Sequence, residues 1–384
     1  MKRKNCAAAV CLLAMAGGRA GYSQTAGQGL ERFRETYKEL VETNTTLSSG
    51  DCTLAATRMA ARLKAAGYRE EDVRVFVPDG HPREGGLLAV LRGSDPNAKA
   101  ILMLAHVDVV EAKREDWTRD PFTLVEEGGY FYARGASDDK AQAAIWVDNL
   151  VRYREEGFRP KRSIKLALTR GEETNSALNG AGWLAQNERE AIDAEFALNE
   201  GAGGALDAQG RRVALEILAA EKTSQNFLLE ATNPGGHSSR PVPDNAIYHI
   251  TRAVDQVSEY EFPVQLNDAN RAYFTGMSKI VGGEAGTAMA AVLRNPGDAA
   301  SVAAPIKKLA DEMWPGIPIV PVLEPGATDA QFLNPAGIPT YGISGIFEDP
   351  DLGHIHGLNE RIRANSVYEG RTFLYRLVKL YAEE

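Results

Sequence analysis

Residues 99–110 read KAILMLAHVDVV, which contains an apolar run that ends at a histidine and an aspartate. Apolar runs of this length without alternation are typical of strands that are buried on both faces of a sheet. Similar runs recur at residues 87–91, 164–169 and 194–198, with helical stretches between them. This alternation predicts an α/β fold, in which a mostly parallel sheet is flanked by helices and functional residues lie at the strand ends.

The spacing of apolar residues predicts helices at residues 30–47, 54–66, 140–153, 178–187, 244–260 and 302–313, and a strand at residues 226–232. The pattern changes near residue 221, and residues 262–301 are rich in glycine and alanine and weakly patterned. We therefore predict that residues 25–220 and 302–384 are two parts of one sheet domain. Residues 221–301 are predicted to form a smaller inserted α+β domain.

The chain begins with the arrangement of a signal peptide. Met1-Lys2-Arg3-Lys4 is basic, residues 7–16 are apolar, and small residues follow as far as Ser23. The apolar run is too short to span a bilayer, which makes a membrane anchor or a buried helix the less favoured interpretation. We therefore predict that residues 1–24 are a signal peptide and that the mature chain is exported, periplasmic or secreted, without membrane association after cleavage.

Charge and cysteine content exclude several classes of protein. The chain has 43 Lys and Arg against 52 Asp and Glu, a net charge of −9, so it presents no positive field for nucleic acid or anionic lipid. Cys6 and Cys11 lie in the predicted signal peptide, which leaves Cys52 alone in the mature chain. A single cysteine excludes both a disulfide framework and a zinc site made of cysteines.

Polar residues follow the apolar runs. In an extended segment, residues two apart share a face, so Asp108 can accept a hydrogen bond from His106 and fix its tautomer, as a metal-bound histidine requires. A purely structural pair is the alternative. Asp138 opens the predicted helix at residue 140, where a carboxylate can serve equally well as a helix N-cap.

Further carboxylates lie beyond the next two runs. Glu172 and Glu173 follow residues 164–169, and Glu200 follows the run at 194–198. Two adjacent carboxylates at a strand end repel each other, which favours binding of a cation or a role in proton transfer. His354 and His356 lie in a loop near the C terminus and are alternatives for the same role.

These side chains would meet at one edge of the sheet, and their nitrogen and oxygen atoms suit zinc, with manganese or cobalt as possible substitutes. Two divalent cations need a bridging group. Asp138 remains for that role once each cation takes one histidine and one glutamate.

In this order, the motifs resemble those of the family-20 metallopeptidases, a group that includes glutamate carboxypeptidases, carnosine dipeptidases, aminoacylases and succinyl-diaminopimelate desuccinylases. The resemblance covers nearly the whole mature chain. Besides the residues above it rests on Trp117 with Asp120-Pro121-Phe122, Tyr132-Ala133-Arg134-Gly135, Pro234-Gly235-Gly236-His237-Ser238, Thr328-Asp329, Gly337-Ile338-Pro339-Thr340, and Asn359-Glu360 after His356.

The resemblance implies a dizinc hydrolase of dipeptides, C-terminal residues or N-acyl amino acids. It implies that Asp138 bridges two zinc ions, with one His and one Glu on each. The pairs are His106 with Glu200, and His356 with Glu173. Glu172 would be the general base, and Asp108 would orient His106.

The resemblance also implies that the sheet domain is catalytic and that the insertion is a lid and dimerisation domain. In the family, a histidine of the lid that matches His237 stabilises the oxyanion in the active site of a partner subunit. The second half of the usual lid, with its substrate-binding arginine, has no counterpart here, so residues 221–301 form a shortened lid. This shortening puts the homodimer in doubt, as well as the delivery of His237.

Two other functions stay open. A shortened lid is compatible with a scaffold that binds metal but is catalytically weak or inactive. Gly201-Ala202-Gly203-Gly204 after an apolar run is a partial match to a dinucleotide-binding loop, but the third glycine and the acidic ribose partner are missing at the required spacing.

Overall fold

The computed structural model describes residues 18–174, 178–222, 227–237, 239–240, 242–260, 267–281, 300–324 and 326–383. Residues 1–17, and with them Cys6, Cys11 and most of the predicted signal peptide, lie outside the described residues. Among the described residues, no helix is both long enough and apolar enough to cross a membrane. Signal cleavage and export stay predictions.

The strands are β1 (Val73–Phe76), β2 (Gly86–Leu91), β3 (Ile101–His106), β4 (Val125–Glu127), β5 (Tyr130–Tyr132), β6 (Ile164–Thr169), β7 (Phe196–Asn199), β8 (Gly204–Leu206), β9 (Arg212–Glu221), β10 (Ile319–Glu324), β11 (Thr340–Gly342), β12 (Phe347–Glu348) and β13 (Arg361–Arg363). The helices are α1 (Gly18–Val41), α2 (Cys52–Ala65), α3 (Lys140–Glu155), α4 (Gly180–Asn187), α5 (Arg189–Ile192), α6 (Ala246–Ser258), α7 (Asp268–Val281), α8 (Ala300–Met313), α9 (Ala330–Leu333) and α10 (Ala364–Glu383).

Ten of the described strands form one sheet, in the order β1-β2-β6-β3-β7-β11-β9-β8-β12, with β10 paired to β9. The central strands β6, β3, β7 and β11 are parallel neighbours, whereas β1 and β2 add an antiparallel edge. The predicted α/β class with a mainly parallel sheet is therefore confirmed. A separate three-stranded sheet of β13, β5 and β4 lies outside it.

Strand β3 shows why its residues form an unbroken apolar run. Ile101, Met103 and Ala105 pack into the larger hydrophobic core with α1, α2, α3 and α10, while Leu102 and Leu104 pack into a second core with α4 and α9. All five side chains are at most 1 % exposed. Because successive side chains of a strand point to opposite faces, a strand covered on both sides needs apolar residues throughout.

The segment after β9 departs from its prediction. Residues 227–232 are not in a strand, and Phe227 and Leu228 are 83 % and 90 % exposed, so the predicted strand at 226–232 is wrong for the described residues. Within the described part of the chain, no strand pairs with this alternation to bury one of its faces. The predicted helix at 244–260 is observed as α6, which Asn245 caps by accepting from the N–H of Ile247.

Helix α7 lies in the stretch that the sequence pattern left unassigned. It packs against β10 of the large sheet, where an added Cβ on Gly276 would come within 3.3 Å of the Val320 side chain. Part of the segment at residues 221–301 therefore contacts the sheet directly. The domain boundaries themselves stay predictions.

Candidate metal centre

The parallel strands deliver the predicted residues to one edge of the sheet. His106 is the last residue of β3, and it pairs with Thr169, the last residue of β6. Glu172 and Glu173 follow β6 after a turn at Gly171, whose φ of +85° favours glycine. Glu200 follows β7 directly. Carboxyl ends of neighbouring parallel strands meet at the same edge, which is why residues so far apart in sequence converge.

His106, Asp138 and Glu200 form the first group of possible ligands. The Nε2 atom of His106 lies 3.0 Å from Asp138 Oδ1 and 3.5 Å from Glu200 Oε1. The His106 side chain is only 1 % exposed. Asp138 does not cap α3, because the N-cap position belongs to Asp139, which makes no side-chain capping bond.

Asp138, Glu173 and His356 form the second group. The Nε2 atom of His356 lies 2.8 Å from Glu173 Oε2 and 3.1 Å from Asp138 Oδ2. His356 is about half exposed, and its φ of +61° places it in the left-handed region. Asp138 therefore offers a different oxygen to each histidine. His354, the alternative to His356, instead faces Asp351 at 3.5 Å and belongs to neither group.

Asp108 contacts one member of each group, namely His106 and Glu173. His106 Nδ1 lies 3.1 Å from the backbone carbonyl of Asp108 and 3.6 Å from its carboxylate, so the carbonyl is the nearer acceptor. The carboxylate of Asp108 also accepts from the backbone N–H of Glu173 at 3.2 Å. When His106 donates through Nδ1, its Nε2 lone pair faces Asp138 and Glu200.

Both histidines thus face carboxylate oxygens, and a positive charge must lie between them. Without a cation, that charge is a proton. Burial lowers the pKa of His106, but Glu200, Asp108 and Asp138 outweigh burial and raise it well above its usual value. The hydrogen bonds to Asp138 and Glu173 raise the pKa of His356 to about 10. Burial opposes the effect of both histidines on Asp138, but they hold its pKa well below the usual range.

The other carboxylates have raised pKa values, because burial disfavours their charged forms. Burial raises the pKa of Glu172 to about 9 and that of Glu200 to about 7, and it also raises the pKa of Glu173. Divalent cations at this site would favour the charged carboxylates, because a cation is a strong positive partner at short range. Imidazole and carboxylate donors without thiolate suit zinc, manganese or cobalt. The residues therefore fit a pair of divalent cations.

A cavity of about 650 Å³ opens beside the two groups, and Asp138, Glu172, Glu200, His356 and Thr328 are among its lining residues. His237 is not among the described residues that line it. Its Nδ1 atom lies 2.8 Å from the hydroxyl of Ser239, on an exposed stretch. The five predicted ligands and Glu172 are brought together in one chain, whereas His237 is not brought to this cavity.

Three buried carboxylates at the site had no predicted role, namely Asp139, Asp329 and Glu360. Asp329 accepts from Thr169 at 2.8 Å and from Asn179 at 2.7 Å. Glu360 accepts from Arg134 at 2.7 Å and is 0 % exposed. Asp329 and Glu360 stood in the quoted motifs, but their roles depend on contacts between residues more than 140 positions apart, which no local spacing reveals.

Comparison with known proteins identifies the family. The model of peptidase family M20/M25/M40 matches residues 102–380. Rat aminoacylase-1A is 25 % identical over 341 residues, which cover 76 % of this chain and 82 % of that protein. The human N-fatty-acyl-amino acid synthase/hydrolase PM20D1 is 30 % identical over 181 residues, which cover 46 % of this chain and 36 % of that protein.

Solved structures share the fold. Human carnosine dipeptidase 1 superposes with a TM-score of 0.60 at 15 % identity, over 95 % of this chain and 99 % of that one. The metallo-carboxypeptidase Sso-CP2 of Sulfolobus solfataricus gives a TM-score of 0.59 at 15 % identity, over 91 % of this chain and 99 % of that one. With the family match over most of its length, the chain belongs to peptidase family M20/M25/M40 and is a metallohydrolase.

Proposed function

We propose that the chain hydrolyses amide bonds of dipeptides, of C-terminal residues in peptides or of N-acyl amino acids, with two zinc ions at the sheet edge. One observation carries the proposal. The two carboxylate oxygens of Asp138 face two different imidazoles, His106 at 3.0 Å and His356 at 3.1 Å. A single carboxylate that turns one oxygen toward each imidazole can bridge two cations, each of which also binds one histidine.

His106 and Glu200 would hold one cation with Asp138, and Glu173 and His356 would hold the other. When bound, two divalent cations lower the pKa of a water molecule, polarise the scissile carbonyl and offset the charge of the buried carboxylates. Manganese or cobalt would be substitutes, because the donor atoms are the same.

Glu172 is the residue proposed to move protons. It is not a member of either ligand group, yet it lines the cavity next to them. As a carboxylate it takes a proton from the attacking water and returns it to the leaving nitrogen, as a general base and then an acid. Burial raises the pKa of Glu172 in the cation-free protein, and two neighbouring cations would lower it again, so that the carboxylate is free to accept the proton.

The test compares wild type with Glu172→Gln on a panel of dipeptides and N-acyl amino acids after zinc addition. We expect turnover in the variant to fall by roughly 10³-fold or more, since the amide cannot accept the proton. Both proteins should hold two equivalents of zinc, because Glu172 is not a ligand. Glu115→Gln changes the same side chain at an exposed position and should keep wild-type turnover. Equal rates in wild type and Glu172→Gln would remove the catalytic assignment.

A second candidate is a metal-binding protein with weak or no activity. It is favoured by the position of His237, which does not line the cavity in the described part of this single chain. Two equivalents of bound zinc without turnover on any member of the panel would support this candidate over the hydrolase.

A further inference from the structure

Two loops carry Asp138 and His356, which face each other in the second group of possible ligands. Residues 135–138 lead into α3 and carry Asp138, and residues 356–360 lead into β13 and carry His356. The loops are more than 200 positions apart in sequence. The distance between the two loops matters, because Asp138 Oδ2 and His356 Nε2 lie 3.1 Å apart and would have to bind the same cation.

The carboxylate of Glu360 fixes the first loop. It is fully buried and accepts from the backbone N–H groups of three loop residues, Ser137 at 2.8 Å, Gly135 at 3.1 Å and Asp138 at 3.3 Å. Three backbone donors on one carboxylate leave the loop little freedom, because any shift would strip a buried donor of its acceptor.

Arg134 fixes the second loop from the same point. Its Nη1 atom donates to Glu360 at 2.7 Å, and its Nη2 atom donates to the backbone carbonyls of Gly357 at 2.8 Å and His356 at 3.4 Å. The guanidinium is 5.1 Å from the ring centroid of Trp117, which covers it. One buried ion pair therefore holds the backbone of both loops.

The second loop needs such support. His356 and Asn359 both have positive φ values, +61° and +55°, which cost conformational energy in residues other than glycine. Asn359 is held from its other side by Thr118, whose backbone N–H and hydroxyl donate to its side-chain oxygen at 3.0 and 2.6 Å. These contacts compensate for a backbone that would otherwise relax and withdraw His356.

We propose that Glu360, with Arg134, is a positioning residue that sets the distance between Asp138 and His356 and so the affinity for the cation held between them. This inference rests on the proposed metal centre. Glu360 belongs to neither ligand group and is not among the described residues that line the cavity, so it would act through the backbone of both loops. Partners of this kind typically change metal affinity by about 10-fold to 100-fold when they are replaced.

The test is Glu360→Gln, which keeps the size of the side chain but removes the charge that pairs with Arg134. Asp148→Asn is the matched control. Asp148 is a buried carboxylate that accepts from Arg371 at 2.8 Å, and it lies two turns along α3 from the site, about 12 Å from Lys140 along the helix axis. Both variants disrupt a buried ion pair, but only one pair holds the ligand loops.

Three quantities are measured on each purified protein. They are the zinc affinity of each site by competition with a chelator, the visible absorption of the cobalt-substituted protein, and the thermal unfolding of the cation-free protein. We expect Glu360→Gln to bind the zinc held between Asp138 and His356 roughly 10-fold to 100-fold less tightly and to change the cobalt spectrum. Asp148→Asn should lower the unfolding temperature without either effect.

Arg134→Lys provides the second variant, should Glu360→Gln not fold. It keeps a positive charge beside Glu360 but cannot reach both loops with a planar fork, so zinc affinity should fall as well. Wild-type zinc affinity in Glu360→Gln, or an equal loss in Asp148→Asn, would overturn the positioning role alone. A wild-type protein that binds no zinc would instead overturn the proposed function itself.

Discussion

Helices α3 and α6 are similar in length but differ completely in burial. Thirteen of the sixteen residues of α3 are buried, among them Trp146 and Leu150 at 0 % exposure. No residue of α6, which the structure describes in full, is buried, and Ile247 and Val257 are 71 % and 61 % exposed. The sheet half of the chain completes its own core without α6. The difference indicates that the core behind the metal centre does not use α6.

This comparison separates two kinds of role. The proposed ligands lie at the ends of core strands and in the loops before α3 and β13, so cation binding should not depend on the segment that contains α6. Any contribution of that segment, including His237, should affect turnover and leave the cations in place. Each prediction below tests that separation.

Asp138→Ala should have the largest effect. Because Asp138 faces both histidines, its loss would remove a proposed ligand from both proposed cation sites at once. We expect fewer than two zinc equivalents per chain by elemental analysis, and no turnover above background. A variant that keeps two zinc equivalents and measurable activity would contradict the shared-ligand arrangement.

His237→Ala should have a smaller effect of a different kind. If His237 reaches the oxyanion through a partner subunit, its removal should lower kcat by about 10²-fold to 10³-fold. Zinc content should stay at two equivalents, since His237 lies outside both ligand groups. Steady-state kinetics and metal analysis on the same preparation separate these results. Unchanged kcat would show that His237 supplies no catalytic group.

The sequence predicted the buried strands of the sheet more accurately than the segment that contains α6. The runs that became β3, β6 and β7 were predicted closely, because burial on both faces demands apolar residues at every position. The residues at their ends followed from the parallel order. The segment after β9 was predicted less well, because the exposed stretch at 227–232 and the packing of α7 against β10 depend on partners distant in sequence.

The same limit applies within the site. His106 and Asp108 are two residues apart, so strand geometry predicts that they lie close together, although the nearer acceptor for His106 is the backbone carbonyl of Asp108 and not its carboxylate. The hydrogen bonds of Glu360 join residues 222 to 226 positions apart, and only the folded chain brings them together. Single-sequence patterns therefore predict ligands at strand ends more readily than the residues that hold the ligand loops.

Cation affinity should rise with pH by up to about tenfold per unit for each proton released. The pKa of His356 is raised to about 10 and that of Glu200 to about 7, so at pH 6 both hold protons that a cation must displace. Because folding raises both pKa values, the free energy of unfolding of the cation-free protein should fall as pH rises. For Glu200 the fall spans about pH 4.5 to 7, and for His356 about pH 6.5 to 10.

Two measurements between pH 6 and 8 check this prediction. Zinc affinity by calorimetry in buffers of different ionisation enthalpy should show proton release. Thermal unfolding with chelator and with zinc should show the stabilisation by zinc growing as pH rises. An affinity that does not vary over this range would contradict the assignment of His356 and Glu200 as ligands.

The smallest expected effect concerns α6. Val257→Ser changes an exposed side chain and should alter the free energy of unfolding by at most about 0.5 kcal/mol. Leu374→Ala in α10 is the matched core change at 0 % exposure, and it should cost about 2–5 kcal/mol. Both values come from denaturant unfolding at low protein concentration. If Val257→Ser cost as much as Leu374→Ala, the apolar face of α6 would be covered in solution. A cost that grew with protein concentration would then mean that a second copy covers it, because only association depends on concentration.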